Sequence, residues 1–219
     1  MSLQENWNLL QRELQELSYS EVTIIAVSKT KPIELIQEAL ELGIKVFGEN
    51  RIQEGIEKFL PLREAGKTFE LHHIGPVQTG TLRKLFGLFQ FTHGVGSVSS
   101  LQALSKQSEK SKQNLGFFLQ ANLTGESNKH GFDRQSLVRV LQEVKKYETE
   151  YLRFIGIMTM GPSNEDPILT RKVFQECNQI RKDCCPQAKL SMGMSGDYKI
   201  ALEEGTDFIR IGSKIFGTR

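Results

Sequence analysis

Eight times along 219 residues, a short apolar run gives way to a segment with helical spacing. The first run, VTIIAVSKTKP from Val22 to Pro32, sets the pattern. Val22, Ile24, Ile25, Ala26 and Val27 leave neither face polar, which suits a parallel strand covered on both sides. IKVFGEN ending at Asn50, FELHHIG ending at Gly75 and a weaker FTHGVGS ending near Ser97 read as the next strands. GFFLQANL (Gly116 to Leu123), FIGIMTM (Phe154 to Met160), KLSMGMS (Lys189 to Ser195) and FIRIGSKIFG complete the eight.

Helical spacing fills the intervals. Ile33 to Leu42 ends at Gly43, a second helix runs from Arg51 to about Arg63, and a third carries Leu101 and Leu104. Asp133 is a candidate N-cap for a helix with Leu137, Val140, Leu141 and Val144 on one face. Asp166 and Pro167 open a long helix that Pro186 closes, and a short one of about eight residues precedes the last strand. Strands alternating with helices argue for an α/β fold with a parallel sheet, and eight units in this length make a single (β/α)8 TIM-type barrel. An open doubly wound sheet is the competitor. It is disfavoured because no dinucleotide-type glycine fingerprint follows the first strand. Leu3, Trp7, Leu10, Leu14 and Leu17 mark an extra N-terminal helix within residues 1–20, expected to cover the barrel bottom or side. With no linker or low-complexity tract, residues 1–219 read as one domain.

Composition narrows the partners. Charged residues nearly balance, with a formal net charge of +2 and no basic cluster interleaved with aromatics, so there is no footprint for nucleic acid. The amino terminus is charged where a signal peptide is apolar, and no stretch has the length of a membrane span. Cys177, Cys184 and Cys185 have neither zinc nor redox spacing and read as reduced thiols of a cytoplasmic protein, with no metal site. No large apolar stripe demands a partner subunit, so a monomer is expected.

In a barrel the carboxyl-terminal strand ends share one mouth. Here they carry Lys29, Asn50, His72 to Gly75, His93, Asn122, Met158 to Met160, Ser195, and Arg210 to Ser213. MSGD places Ser195, Gly196 and Asp197 where a helix starts, and RIGS supplies Gly212 and Ser213 where backbone amides can approach an oxyanion. The loops after strands seven and eight are the usual phosphate site of such barrels. A lysine beside a phosphate grip either pairs with a sugar phosphate or holds an aldehyde cofactor as an imine. For an aldehyde cofactor with a pyridine ring, Arg210 would face the ring nitrogen. A guanidinium donates and does not accept, so it keeps that nitrogen unprotonated and the ring a poor electron sink.

AVSKTKP, FGENRIQE, HHIG followed by Gln78, SNKHGF, GIMTM, SMGMSGD and IRIGSKIFG, in this order, resemble the pyridoxal-phosphate homeostasis protein family. The resemblance runs from about Val22 to Gly217 and implies a barrel of the alanine-racemase amino-terminal type. It implies pyridoxal 5'-phosphate as cofactor, held as an imine on Lys29, with Ser195, Gly196, Gly212 and Ser213 on the phosphate and Arg210 on the ring nitrogen. Asn50 would line the ring, and His72 and Met158 are expected among the cofactor-binding residues. There are departures: HHIGPVQTGTL stands where the family usually reads HFIGHLQSNK, so His73, Pro76 and the loop near Gly80 differ. Ser99 stands where an aspartate is common, and Ser213 replaces a usual threonine.

The expected role is pyridoxal-phosphate homeostasis inside the cell, buffering the cofactor or delivering it to pyridoxal-phosphate-dependent apo-enzymes, with no catalytic residue. A racemase also needs an acid/base group opposite the lysine, usually a tyrosine from another domain or subunit. Tyr19, Tyr147 and Tyr151 precede strands and belong at the barrel bottom, and Tyr198 near the mouth reads as a packing residue. His72, His73 and His93 are candidate bases, each more economically a hydrogen-bonded strand histidine. The alternatives are a racemase-like enzyme with Lys29 as base, and a barrel aldolase or isomerase acting on sugar phosphates.

Overall fold

The computed structural model describes residues 1–126 and 129–217; Ser127 and Asn128, which open SNKHGF, lie outside the described residues. Eight parallel strands close into a barrel: β1 (Thr23–Val27), β2 (Val46–Glu49), β3 (Glu70–Pro76), β4 (Phe91–Val95), β5 (Leu115–Ala121), β6 (Leu152–Thr159), β7 (Lys189–Met194) and β8 (Phe208–Ile211). Each strand pairs with its sequence neighbours, and β8 returns to β1 with Ile25 opposite Arg210. The expected barrel is the observed one.

The helices are α1 (Leu3–Glu16), α2 (Ile33–Glu41), α3 (Ile52–Glu64), α4 (Val98–Ser111), α5 (Arg134–Gln142), α6 (Pro167–Cys184), α7 (Tyr198–Glu203) and α8 (Ser213–Phe216). Local chemistry starts and stops them where it should. Ser2 and Glu5 form a reciprocal cap on α1, and Asp133 and Asp166 accept first-turn amides of α5 and α6. Gly43 takes a φ of +85° just past α2, a conformation glycine adopts without a steric cost.

Three segments differ from the sequence reading. Helix α5 ends at Gln142, so Val144 lies in a following 3-10 turn, Val144–Tyr147. FIRIGSKIFG is not one strand: β8 stops at Ile211, and Ser213 opens the single turn of α8. Thr79–Leu85, too polar and glycine-interrupted to show a period, winds as a 3-10 helix between β3 and β4.

The core has two parts. Between barrel and helices lie Phe47, Phe59, Leu71, Phe117, Leu119, Phe174 and Ile209, all fully buried. Inside the barrel the packing is partly polar, with Ile25, Phe118 and Met158 beside His72, His93, Ser191 and Arg210. At Gly48 a Cβ would stand 2.7 Å from Ile25 Cγ2, so a glycine on β2 is what admits the isoleucine. Helix α1 covers the barrel's side, burying Leu3, Leu10 and Leu14, each worth about 1.5–3 kcal/mol. Asn6 Nδ2 donates to the Ile215 carbonyl at 3.1 Å, and the Tyr198 hydroxyl donates to Glu13. Among the described residues no helix is long and apolar enough to cross a membrane, and the three cysteines are unpaired.

Candidate functional site

Lys29 is half-buried and stands two residues past Val27, so strand alternation carries it onto the interior face with Val27 and Ile25. Closure brings the last strand beside it. At Gly212 the nearest atoms to an added Cβ are the carbonyl oxygen and Cβ of Val27, at 3.4 and 3.5 Å. On its other side the Gly212 N–H donates to Ser195 Oγ at 3.3 Å. The ends of β1, β7 and β8 therefore touch at one small residue. Around it lie Gly196, exposed with nothing near its missing Cβ, and Ser213, whose amide is one of the first-turn donors of α8 that have no acceptor within the helix. Lys31 Nζ donates to the carbonyls of Phe216 and Gly217, both at 3.1 Å, which ties the Lys29 turn to the far end of α8.

Arg210, 4% exposed, projects from β8 into the barrel. Its Nη1 donates to the Ser191 carbonyl (2.8 Å) and Ser191 Oγ (2.7 Å), and its Nη2 to the Thr159 carbonyl (3.0 Å). Among the described residues its Nε has no hydrogen-bond partner. Burial lowers the Arg210 pKa to about 10, against the pull of Asp197, and the group stays cationic at neutral pH.

This arginine orders a chain of hydrogen bonds down the barrel. Ser191 Oγ lies 3.0 Å from His93 Nδ1, His93 Nε2 lies 2.8 Å from His72 Nδ1, and His72 Nε2 lies 2.8 Å from Glu70 Oε1. A guanidinium only donates, so Ser191 Oγ accepts from it and turns its own hydrogen to His93 Nδ1. His93 is then protonated on Nε2 and donates to His72 Nδ1, and His72 donates from Nε2 to the Glu70 carboxylate. Both rings are neutral in this arrangement. Burial lowers both histidines, with Glu70 partly opposing the effect at His72 and His72 and Arg210 reinforcing it at His93. His93 also stacks on Phe118, ring centroids 4.1 Å apart.

The turn that carries Lys29 is held from outside the barrel. Ser28 Oγ donates to Glu49 Oε1 at 2.7 Å, and Lys58 Nζ donates to the Ser28 carbonyl (2.9 Å), Glu49 Oε1 (3.1 Å) and Glu54 Oε1 (2.5 Å). Glu54 Oε1 also accepts the Thr30 N–H at 2.5 Å. Thr30 has a φ of +63°, an uncommon left-handed conformation for a branched residue. Glu49 is fully buried, and its Oε2 is the one sealed side-chain polar atom without a partner among the described residues. Burial raises the Glu49 pKa, against Lys58 and Ser28. At Glu54 burial acts upward too, but Lys58 and the Thr30 amide outweigh it and lower the pKa.

The sequence-predicted residues fall into two groups. Lys29, Ser195, Gly196, Arg210, Gly212 and Ser213 come from three adjacent strand ends, as the closure just described requires. Asn50 is half-buried beside them, its carbonyl oxygen 2.1 Å from where a Cβ on Gly75 would sit. Met158 is buried in the barrel, in register with Gln120 and Ser191. His72 is not at a strand end: it is the third residue of β3, fully buried, and reaches Arg210 only through His93 and Ser191. His73 faces outward, with Nδ1 3.0 Å from Thr92 Oγ1. Glu49, Glu54, Lys58 and Ser191 were not expected at the site. For Glu54 and Lys58 their four-residue spacing on a helix was the available signal.

The profile described as "Alanine racemase, N-terminal domain" matches residues 1–219. The "Pyridoxal phosphate homeostasis protein" of Vibrio cholerae is 34% identical over 206 residues, 91% of this chain and 86% of its own. PipY of Synechococcus elongatus, solved with PLP bound, superposes with a TM-score of 0.86 at 28% identity, covering 99% of this chain and all of that one. An alanine racemase of Clostridium difficile shares the fold, with a TM-score of 0.79 at 15% identity over all of this chain and 57% of that one.

Proposed function

The chain belongs to the pyridoxal phosphate homeostasis family, and we propose that it binds pyridoxal 5'-phosphate at Lys29 and buffers or delivers it without catalysing a reaction. The observation that carries the reading is the closure of β8 onto β1. It sets an amine-bearing strand end against a small-residue turn and a buried arginine.

The residues present suit this group. When bound, the cofactor supplies an aldehyde that condenses with a primary amine. Lys29 would provide that amine, and the amides and hydroxyls around Ser195, Gly196, Gly212 and Ser213 would receive the phosphate. Arg210 would face the ring nitrogen, and the bonds to Ser191 and Thr159 keep the guanidinium from turning. Asn50 and Met158 would border the ring, while His72 would act through the hydrogen-bonded chain and not by contact.

A non-catalytic role is supported by the condition of the four candidate acid/base groups. His72, His73 and His93 are buried, and burial lowers the pKa of each. Tyr198 turns its hydroxyl to Glu13 on α1, and burial together with that carboxylate raises its pKa. The unpaired thiols fit a reducing, cytoplasmic setting. We place the recipients among pyridoxal-phosphate-dependent apo-enzymes and the protein itself as a single-domain monomer.

The test is covalent attachment. Protein exposed to the cofactor should gain its visible absorbance, borohydride should fix the added mass on Lys29, and Lys29→Ala should show neither. A Lys29→Ala protein that still takes up the mass would overturn the assignment. Single amino-acid enantiomers incubated overnight with the wild type should keep their configuration. Inversion that depends on Lys29 would favour the racemase-like alternative.

A further inference from the structure

We propose that Lys58 and Glu54, on α3, are positioning residues for Lys29. The inference rests on the reading of Lys29 as the attachment point and assigns a role to groups outside the barrel that the binding site does not use. Two peptide planes flank the Lys29 Cα, and their orientations fix where its side chain starts. The first is held through the Ser28 carbonyl, which accepts from Lys58 Nζ at 2.9 Å. The second is held through the Thr30 N–H, which donates to Glu54 Oε1 at 2.5 Å. Lys58 and Glu54 are themselves joined at 2.5 Å, so one ion pair grips both sides of one residue.

Nothing in the turn makes this geometry inevitable. Thr30 sits at a φ of +63°, a conformation that persists only where surrounding contacts impose it. Glu49 anchors the grip to β2, accepting from Ser28 Oγ and Lys58 Nζ on the same oxygen while its other oxygen is sealed without a partner. The side chains of Lys58 and Glu54 are 13% and 22% exposed, enough screening from water to give the pair a directional hold. Without it, the Lys29–Thr30 peptide is free to rotate toward commoner backbone conformations, and the amine leaves the line to the cradle.

The experiment compares wild type, Glu54→Ala, Lys58→Met and Lys58→Arg for covalent attachment of pyridoxal 5'-phosphate, trapped with borohydride and counted on Lys29 by mass spectrometry over a range of cofactor concentrations. Glu54→Ala and Lys58→Met should lower the saturating attachment rate by about 10- to 100-fold, the scale on which a misplaced reacting group is penalised. The half-saturating concentration, and competition by inorganic phosphate, should not change, because the cradle is untouched. Lys58→Arg, which keeps a cationic donor within reach of Ser28, Glu49 and Glu54, should recover part of the rate. Should Lys58→Met not fold, the more exposed Glu54→Ala decides alone. Attachment by Glu54→Ala at the wild-type rate would overturn the positioning role while leaving the functional reading intact. Absence of attachment in the wild type would overturn both.

Discussion

Replacing His73 by phenylalanine should remove a measurable part of the protein's sensitivity to acid. His73 is 1% exposed, and burial lowers its pKa from 6.5 to about 4, against a hydrogen bond with the Asn50 backbone. Below pH 6.5 the unfolded chain takes up a proton at this position and the folded chain does not, so unfolding gains as pH falls. Stability from this residue is thus fully present above pH 6.5 and drains away toward pH 4. With folded and unfolded values of about 4 and 6.5, the loss relative to pH 7 is about 2 kcal/mol at pH 5 and about 3 kcal/mol near pH 4. His72 and His93 titrate in the same direction and are common to both proteins, so most of their contribution cancels, His73 being the least of the causes that lower His93. His73→Phe costs a pH-independent amount, on the order of 1–3 kcal/mol, because Thr92 Oγ1 loses its partner at 3.0 Å. Urea unfolding at pH 7 and pH 5 measures both quantities. The wild type should lose about 2 kcal/mol more than the variant between these two pH values. Parallel losses would mean that the histidine is hydrated or already charged in the folded protein, and the account of its burial would fail.

Ser191→Ala should cut the hydroxyl link between Arg210 and His93 while leaving the Ser191 carbonyl bond in place. Nitrogen NMR of the wild type should show His93 and His72 protonated on Nε2 alone, and the variant should show His93 in mixed tautomers; an unchanged His93 signal would refute the directed chain. Gly48→Ala should destabilise by about 1–3 kcal/mol, read as a lower urea midpoint, because the new methyl meets Ile25 Cγ2 at 2.7 Å; an unchanged midpoint would show that Ile25 repacks freely.

Much of this protein is legible in one dimension because its strands are buried on both faces. Runs such as IIAV and GFFLQA have no other comfortable conformation, and glycine or proline marks their ends. Strand-end residues then follow from counting, which is how Lys29, Ser195, Arg210 and Gly212 come forward together. Counting fails where alternation puts a residue inside the barrel below its end. His72 and His93 read as mouth histidines although they are lower links of a chain whose next member, Ser191, has no signature in sequence. It fails again at FIRIGSKIFG, where isoleucine and phenylalanine on both sides of Gly212 hide the change from strand to helix. The grip on Lys29 was out of reach for another reason. Lys58 and Glu54 look like an ordinary helix-surface pair, and only the third dimension brings Ser28 and Thr30 to them.

The pairing of β8 with β1 also orders events during synthesis. Lys29 leaves the ribosome early, but its neighbours on the other side, Arg210 and Gly212, are translated more than 180 residues later. At about 5–20 residues per second that interval is on the order of 10–40 s, during which β1 has one edge without its mate. A nascent chain therefore presents Lys29 without the β7 and β8 ends that stand beside it in the finished barrel. The meeting of these three strand ends is thus a property of the closed barrel and not of the growing chain.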